Sequence, residues 1–397
     1  MKKLWIVTEL FYPEETSTAF ILTKIANHLA DGMDLNVICG PSSYEGDGAC
    51  AHEGDGLDGR VKVHRVSETK LDKNSLPKRL LRFIMLTWKL TRAMRKRVSD
   101  GDEVLVVTNP APILLSVAAM RRRRNFTLSL LVHDVFPENT IPAGIIKSER
   151  SFFYRMLKGW FDKSYAAADR LIVLGRDMKD VVCGKIGTTL SDRITIIENW
   201  ADVEGIKPIE QNGAEKVVLQ YAGNLGRVQG LIELLGYVKA ADNKDLEFAF
   251  YGSGAVKPAM EKFVQDNEMG NVSFFSSYKR NEQQRVLNAC DLAIVTLADG
   301  MYGLGVPSKT YNILAAGKPV LFIGDEQSEI ALLIKEHGLG YVFKSSDSEA
   351  ITEFLRGLSV ESLPALREMG KRSREVAESM YSQEVILNKF SDLLING

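Results

Sequence analysis

Short runs rich in β-branched and aromatic residues alternate with helical patterns in two successive series, and this alternation constrains the 397-residue chain more than any other feature. Repeated strand and helix units predict parallel sheets with helices on both faces, because a parallel crossover needs a helix-length return. The first series reads LWIVTEL from Leu4, DLNVICG from Asp34, VKVHRV from Val61, EVLVVTN from Glu103, TLSLLVHDV from Thr127, RLIVLG from Arg170 and ITIIEN from Ile194. The second reads KVVLQYAG from Lys216, LEFAFYG from Leu246, NVSFFSS from Asn271, DLAIVTLA from Asp291 and PVLFIG from Pro319. Between them, residues 202–215 are polar, carry Pro208 and Gly213, and lack periodicity, so they read as a linker. The expected organisation is one doubly wound α/β domain over 1–201, a second over 216–375, and a helical tail over 376–397 that packs back on the first.

Two such domains in sequence imply a cleft, with ligands beyond the carboxyl ends of the strands. With 45% hydrophobic and 25% charged residues, the chain has material for two buried sheets. Residues 41–59 are glycine-rich and aperiodic, and read either as a lid or as a long connection. Cys39, Cys50, Cys183 and Cys290 lie far apart without a CxxC, which indicates neither a zinc cluster nor a disulfide framework. No run of about 18 or more uncharged apolar residues occurs, and Met1-Lys2-Lys3 leads directly into a strand pattern, so a cytoplasmic protein is expected. Residues 1–200 hold 30 Lys and Arg against 24 Asp and Glu, and the remainder 20 against 27. The basic first half suits phosphate-bearing or membrane-surface partners.

Three glycine-bearing turns follow strands of the second series. YAGNLGRVQG places Gly223, Asn224, Gly226 and Arg227 between a strand and a helix; FYGSG places Gly252 and Ser253; DGMYGLGVPSKTYNILAAGKPV places Gly305, Ser308 and Lys309 before another helix. Glycine lets backbone N–H groups approach an anion, a helix start carries partial positive charge, and Arg227 and Lys309 add formal charge. Any one of these turns alone is also ordinary turn chemistry; three in order point to a diphosphate. Ser308 is a candidate N-cap. In the first half, His133 and Asp134 end the strand TLSLLVHDV and would point into the cleft, although HDVFPEN also reads as a strand-end turn with Asp134 capping a backbone N–H.

These strings, together with FYPEETST near the amino end, ADRLIVLGRDM at 168–178 and IIENWAD at 196–202, resemble the GT-B glycosyltransferases, in particular retaining family 4 and its bacterial surface-polysaccharide branch. The resemblance spans nearly the whole chain. It implies two Rossmann-like domains facing across a cleft, the first binding the acceptor and the second a UDP-sugar or GDP-sugar, without a metal cofactor. It further implies that His133 lies near the donor sugar, that Asp134 or Glu138 orients the acceptor hydroxyl, and that Thr16, Ser17 and Thr18 stand where the family has a Gly-Gly turn. Gly252 and Ser253 would line the diphosphate end, and Tyr278, just past the strand from Asn271, reads either as a contact to the base or as a surface tyrosine. The family's usual pair of glutamates, eight positions apart, falls on Leu304 and Asn312; Asn312 can still hydrogen-bond a ribose, but no carboxylate role carries over. The only short DxD, Asp100-Gly101-Asp102, precedes a strand and reads as a turn, not a metal site.

Residues 76–97 carry eight basic and no acidic residues interleaved with Leu, Phe, Ile, Met and Trp88. The pattern is that of a basic amphipathic helix, read either as a peripheral membrane surface at the inner face of the cell membrane or as a core-packed helix with a basic solvent face. No nucleic-acid-reading element accompanies the charges, so nucleic acid is not an expected partner. The expected activity is hexose or hexosamine transfer to a lipid-linked saccharide. A nucleotide-sugar epimerase and a non-catalytic nucleotide- or partner-binding subunit are the alternatives.

Overall fold

The computed structural model describes residues 2–14, 16–42, 56–67, 76–209 and 215–396, with the side chains of 76–80 excepted. Most of the 41–59 loop and the middle of the 202–215 segment lie outside the described residues.

The first sheet contains β1 (Lys3–Thr8), β2 (Asp34–Cys39), β3 (Lys62–Arg65), β4 (Glu103–Val107), β5 (Thr127–Val132), β6 (Arg170–Val173) and β7 (Ile194–Ile196). Its order is β3-β2-β1-β4-β5-β6-β7, with every pairing parallel. The second contains β8 (Val217–Ala222), β9 (Leu246–Tyr251), β10 (Val272–Phe275), β11 (Leu292–Thr296), β12 (Val320–Ile323) and β13 (Gly340–Phe343), in the order β10-β9-β8-β11-β12-β13 and again all parallel. Both sheets reverse direction beside their first strand, so each has its switch point at the carboxyl ends of β1 and β4, or of β8 and β11. This is the GT-B architecture of two doubly wound α/β units. The central strands are buried on both faces, as continuous apolar runs such as EVLVV and LAIVT require. Strand β13 is absent from the expected set: GYVF is a half-buried edge strand with too short a run to stand out.

The 18-residue helix Leu363–Met380 ends at Tyr381, and the helix Gln383–Ser391 then returns to the first sheet's side. There Ala201 N–H donates to the Tyr381 carbonyl at 2.7 Å, and Ala201 bridges Ser382. Ile395 packs against Gly32 at the end of the helix Ser17–Leu29.

Candidate active site

The turns after β8 and β9 interlock. Gly223 and Gly252 have φ of 147° and 146°, which L side chains rarely adopt. A Cβ on Gly252 would stand 1.9 Å from the Gly223 carbonyl oxygen, and one on Gly254 would stand 2.2 Å from that of Leu225. Hydrogen bonds from Gly223 N–H to the Tyr251 carbonyl and from Leu225 N–H to the Ser253 carbonyl, both 2.9 Å, clamp the two turns. Ser253 Oγ accepts from Ser277 Oγ. A short 3-10 turn, Arg227–Gln229, then precedes the helix Leu231–Ala241. Arg227 and Asn224 are exposed there, and Arg227 has no ion pair or hydrogen bond among the described residues.

The third turn brings Lys309 to the same place. Its Nζ is buried, lacks a hydrogen-bond partner, and sits 3.3 Å from the centre of the Tyr221 ring. It also lies 3.5 Å from the Cβ position of Gly223. Burial drives its pKa well below the usual lysine range, while the ring face favours the cation. The next two residues repeat the pattern: Thr310 Oγ1 and Tyr311 OH are also buried without a partner. A cation and two hydroxyls left unsatisfied in one helical turn are expensive unless a ligand completes them. Ser308 occupies the N-cap position of the helix Lys309–Ala315, but its side chain makes no capping bond, because its backbone is already helical.

From the first domain, Thr108 Oγ1 accepts the backbone N–H groups of His133 at 3.1 Å and Asp134 at 3.3 Å, which fixes the end of β5. Asp134 therefore does not cap that turn; its carboxylate lies 3.5 Å from the Cβ position of Gly305, across the cleft. His133 Nε2 is buried without a partner, and burial lowers the imidazole pKa to about 4. Burial also raises the Asp134 pKa, and among the described residues no cation offsets it. The Asp134 carboxylate, of raised pKa, and the His133 backbone carbonyl thus face Gly305 in the turn that precedes Lys309.

Other candidates stand differently. Both Glu138 oxygens accept from Lys185 Nζ at 2.7 Å and one accepts from Lys158 at 3.0 Å, so this carboxylate is committed to an ion-pair network within the first domain. Asn312 Oδ1 accepts Asp202 N–H at 2.9 Å, which leaves its amide nitrogen for a ligand. Tyr278 packs edge-on against Tyr251, which in turn stacks on Phe275 at 4.4 Å. Thr16 caps the helix Ser17–Leu29 by accepting Ala19 N–H; Thr16 and Ser17 are exposed and Thr18 half-buried. One turn on, Phe20 stacks under the Arg280 guanidinium of the second domain at 3.2 Å. The DxD carboxylates are occupied, Asp102 by Trp5 Nε1–H and Ser99 N–H and Asp100 by Asn125 N–H. Tyr221 and Thr108 escaped the sequence reading: each ends a buried apolar strand, and nothing in the string distinguishes a site-lining hydroxyl there from a core one.

Residues 23–204 match the family described as Glycosyltransferase Family 4, and residues 202–376 match that described as Glycosyl transferases group 1. The probable glycosyltransferase WbjE of Pseudomonas aeruginosa is 35% identical over 329 residues, 81% of each chain. The putative colanic acid biosynthesis glycosyl transferase WcaI of Escherichia coli K12 is 26% identical over 234 residues, 56% of each. The fold is shared with Anabaena HepE, solved in complex with UDP, at a TM-score of 0.69, 15% identity and full coverage of both chains. The chain therefore belongs to glycosyltransferase family 4, with the group 1 glycosyl transferase unit as its second half, and is a glycosyltransferase.

Proposed function

We propose that this enzyme transfers a hexose or hexosamine, with retention, from a UDP-sugar to a lipid-linked saccharide in bacterial surface-polysaccharide synthesis. The observation that carries the reading is the buried, unpartnered Lys309 ammonium against the Gly223 turn, which runs on to the exposed Arg227 four residues later. In the transfer, the bond from the anomeric carbon to the diphosphate breaks and a bond to the acceptor oxygen forms. Negative charge grows on the diphosphate, and Arg227, Lys309 and the turn amides near Gly223, Gly252 and Gly305 are positioned to stabilise it. Asn312 and Tyr278 are assigned to the nucleoside, and Thr16, Ser17 and Thr18 to the acceptor side. His133 is assigned to the donor sugar and Asp134 to the proton of the acceptor hydroxyl. The colanic acid setting of WcaI and the UDP bound in the HepE structure support the polysaccharide setting and the choice of UDP.

A membrane face accords with a lipid-linked acceptor. In the helix Leu76–Arg97, Leu86, Leu90 and Met94 are buried, so one face is core-packed. On its other face Ile84 and Trp88 are 52% and 59% exposed, flanked by Arg92, whose guanidinium lies over the Trp88 ring. Phe152 and Trp160 of the helix Phe152–Ala166 are exposed as well. Among the described residues no helix is long and apolar enough to cross a membrane. Such a surface fits peripheral docking on anionic lipid.

The test is mass-spectrometric detection of transfer from UDP- and GDP-sugars to a bacterial lipid extract, with Arg227→Ala and His133→Ala as controls. Loss of Arg227 is expected to lower turnover by about 100- to 1,000-fold, as for removal of one preorganised donor. An Arg227→Ala enzyme with wild-type turnover removes Arg227 from the mechanism, and preferential use of GDP-sugars overturns the choice of UDP.

A further inference from the structure

The start of the helix Arg176–Ile186 in the first domain meets the start of the helix Glu329–His337 in the second. Arg176 and Glu329 make the contact. Glu329 Oε2 accepts the Arg176 backbone N–H at 2.6 Å and the guanidinium Nε–H at 3.0 Å, while Oε1 accepts Nη2–H at 3.0 Å. Arg176 Nη1 reaches on to Glu336 Oε1 at 2.6 Å, two turns along the same helix. The Glu329 side chain is only 6% exposed. Its carboxylate therefore completes a bidentate pair and also lies at the positive end of a helix that belongs to the other domain. Gly175 makes the room for it. With φ at −172° the backbone there is extended, so the glycine serves space and not conformation: a Cβ would stand 2.6 Å and 2.8 Å from Cβ and Cγ of Glu329.

The contact bears on the site because the site is divided between the domains. Asp134 comes from the first and Gly305 from the second, with the Asp134 carboxylate 3.5 Å from the Cβ position of Gly305. Beside them Val135 N–H donates to the Leu304 carbonyl across the cleft at 3.1 Å. The chain crosses between the domains at the paired passages beside Ala201 and Ser382. Parting the domains about those passages breaks the Arg176 and Leu304 contacts together.

We propose that Arg176 and Glu329 form a latch that holds the cleft closed, and that its release admits the nucleotide-sugar and lets the nucleotide leave. Lys309 Nζ is buried against Tyr221 and the Gly223 turn, so a diphosphate reaches it only after a movement, and domain opening is that movement. A guanidinium fork gripped by carboxylates at both ends is directional, so the latch favours one closed arrangement over a range of others. It is also breakable, because the Arg176 side chain is 40% exposed and hydrates readily on release. The gating role rests on the transferase reading above; the latch does not.

Hydrogen–deuterium exchange at the Val135 amide of the full chain tests the latch, since that amide is bonded across the cleft and lies outside every variant. Arg176→Met keeps an apolar stem and removes the fork; exchange at Val135 should rise about 10- to 100-fold, with the amides of β4 and β5 unchanged. Gly175→Ala drives a methyl into Glu329 while keeping every charge, and should raise exchange about tenfold. Glu336→Gln weakens the exposed arm of the fork and should raise it less than about fivefold. Stopped-flow binding of UDP tests the gate: in Arg176→Met, association and dissociation should both quicken by about tenfold. Faster association separates a gate from damage to the site, which quickens dissociation alone. Val135 exchange within about twofold of wild type in both Arg176→Met and Gly175→Ala overturns the latch, as does a rise that extends equally to β4 and β5. Unchanged or slower UDP association in a variant whose Val135 exchange has risen overturns the gate. Absence of UDP binding by the wild-type chain would overturn the UDP reading and the gate with it, while the latch stands or falls on exchange, which needs no ligand.

Discussion

Replacing Lys309 with methionine should move stability and ligand binding in opposite directions. The ammonium has no hydrogen-bond partner within the protein, and leaving a buried polar group unsatisfied costs about 1–3 kcal/mol. The Tyr221 ring at 3.3 Å returns about 0.5–2 kcal/mol of that. Methionine keeps the length of the stem and fills the same space without the charge. The free protein should therefore gain about 1 kcal/mol, a rise in Tm on the order of 1 °C or more for a chain of this size. UDP should bind less well, because a charge-assisted hydrogen bond to phosphate contributes about 1.5–3 kcal/mol, a loss of about 10- to 150-fold in affinity. There is also a proton to follow. Burial depresses the amine pKa and a bound diphosphate raises it, so at pH values high enough to deprotonate the free amine, binding draws a proton from solution. Titration calorimetry in buffers of different ionisation enthalpy measures that uptake, which the methionine variant should lack. A variant that melts lower and binds UDP as the wild type does would refute the reasoning, since Lys309 would then be a structural lysine.

Gly252→Ala should cost on the order of 2–4 kcal/mol by urea unfolding and weaken UDP binding, since a Cβ 1.9 Å from the Gly223 carbonyl forces the two turns apart at a strained φ; an unperturbed variant would mean that the turns are not interlocked. His133, with a folded pKa near 4 against about 6.5 unfolded, binds fewer protons when folded, so its contribution to stability is whole above pH 6.5 and is lost as pH falls toward 4. At pH 4.5 the loss is about 2–3 kcal/mol, and unfolding of His133→Gln should show a correspondingly flatter pH profile. Lys185→Met, which strips a buried cation from Glu138 and Asp162, should destabilise the first domain by about 3–5 kcal/mol in chemical denaturation. Ile84→Glu with Trp88→Glu should abolish co-flotation with anionic liposomes at low salt and leave melting within about 1 °C, both residues being exposed.

The parts of this molecule legible in its sequence are those decided locally. Strands such as EVLVV at Glu103–Val107 carry their own burial pattern, and Gly223 and Gly252 announce turns because no other residue suits them. Two doubly wound domains followed from the order of such elements, and the GT-B fold and the glycosyltransferase family from the resemblance carried by the motifs at their turns. Glu138 shows where local reading stops: the lysines that engage it lie 20 and 47 residues further on, and only the packing of their helices brings them in. Likewise a lysine after Pro-Ser gives no sign that its ammonium ends beneath a tyrosine ring. The Arg176 and Glu329 contact joins residues 153 positions apart, and each alone reads as an ordinary charged residue at the start of a helix.

The chain passes between its two halves twice, leaving the first beside Ala201 and returning beside Ser382, and the two passages are bonded to each other. During synthesis this order matters. The surface of the helix Ser17–Leu29 that Ile395 and its neighbours cover stays bare until the whole second half has left the ribosome. The half made first is therefore the half finished last, and a nascent chain stalled anywhere in the second domain presents an incompletely covered first one to chaperones and proteases.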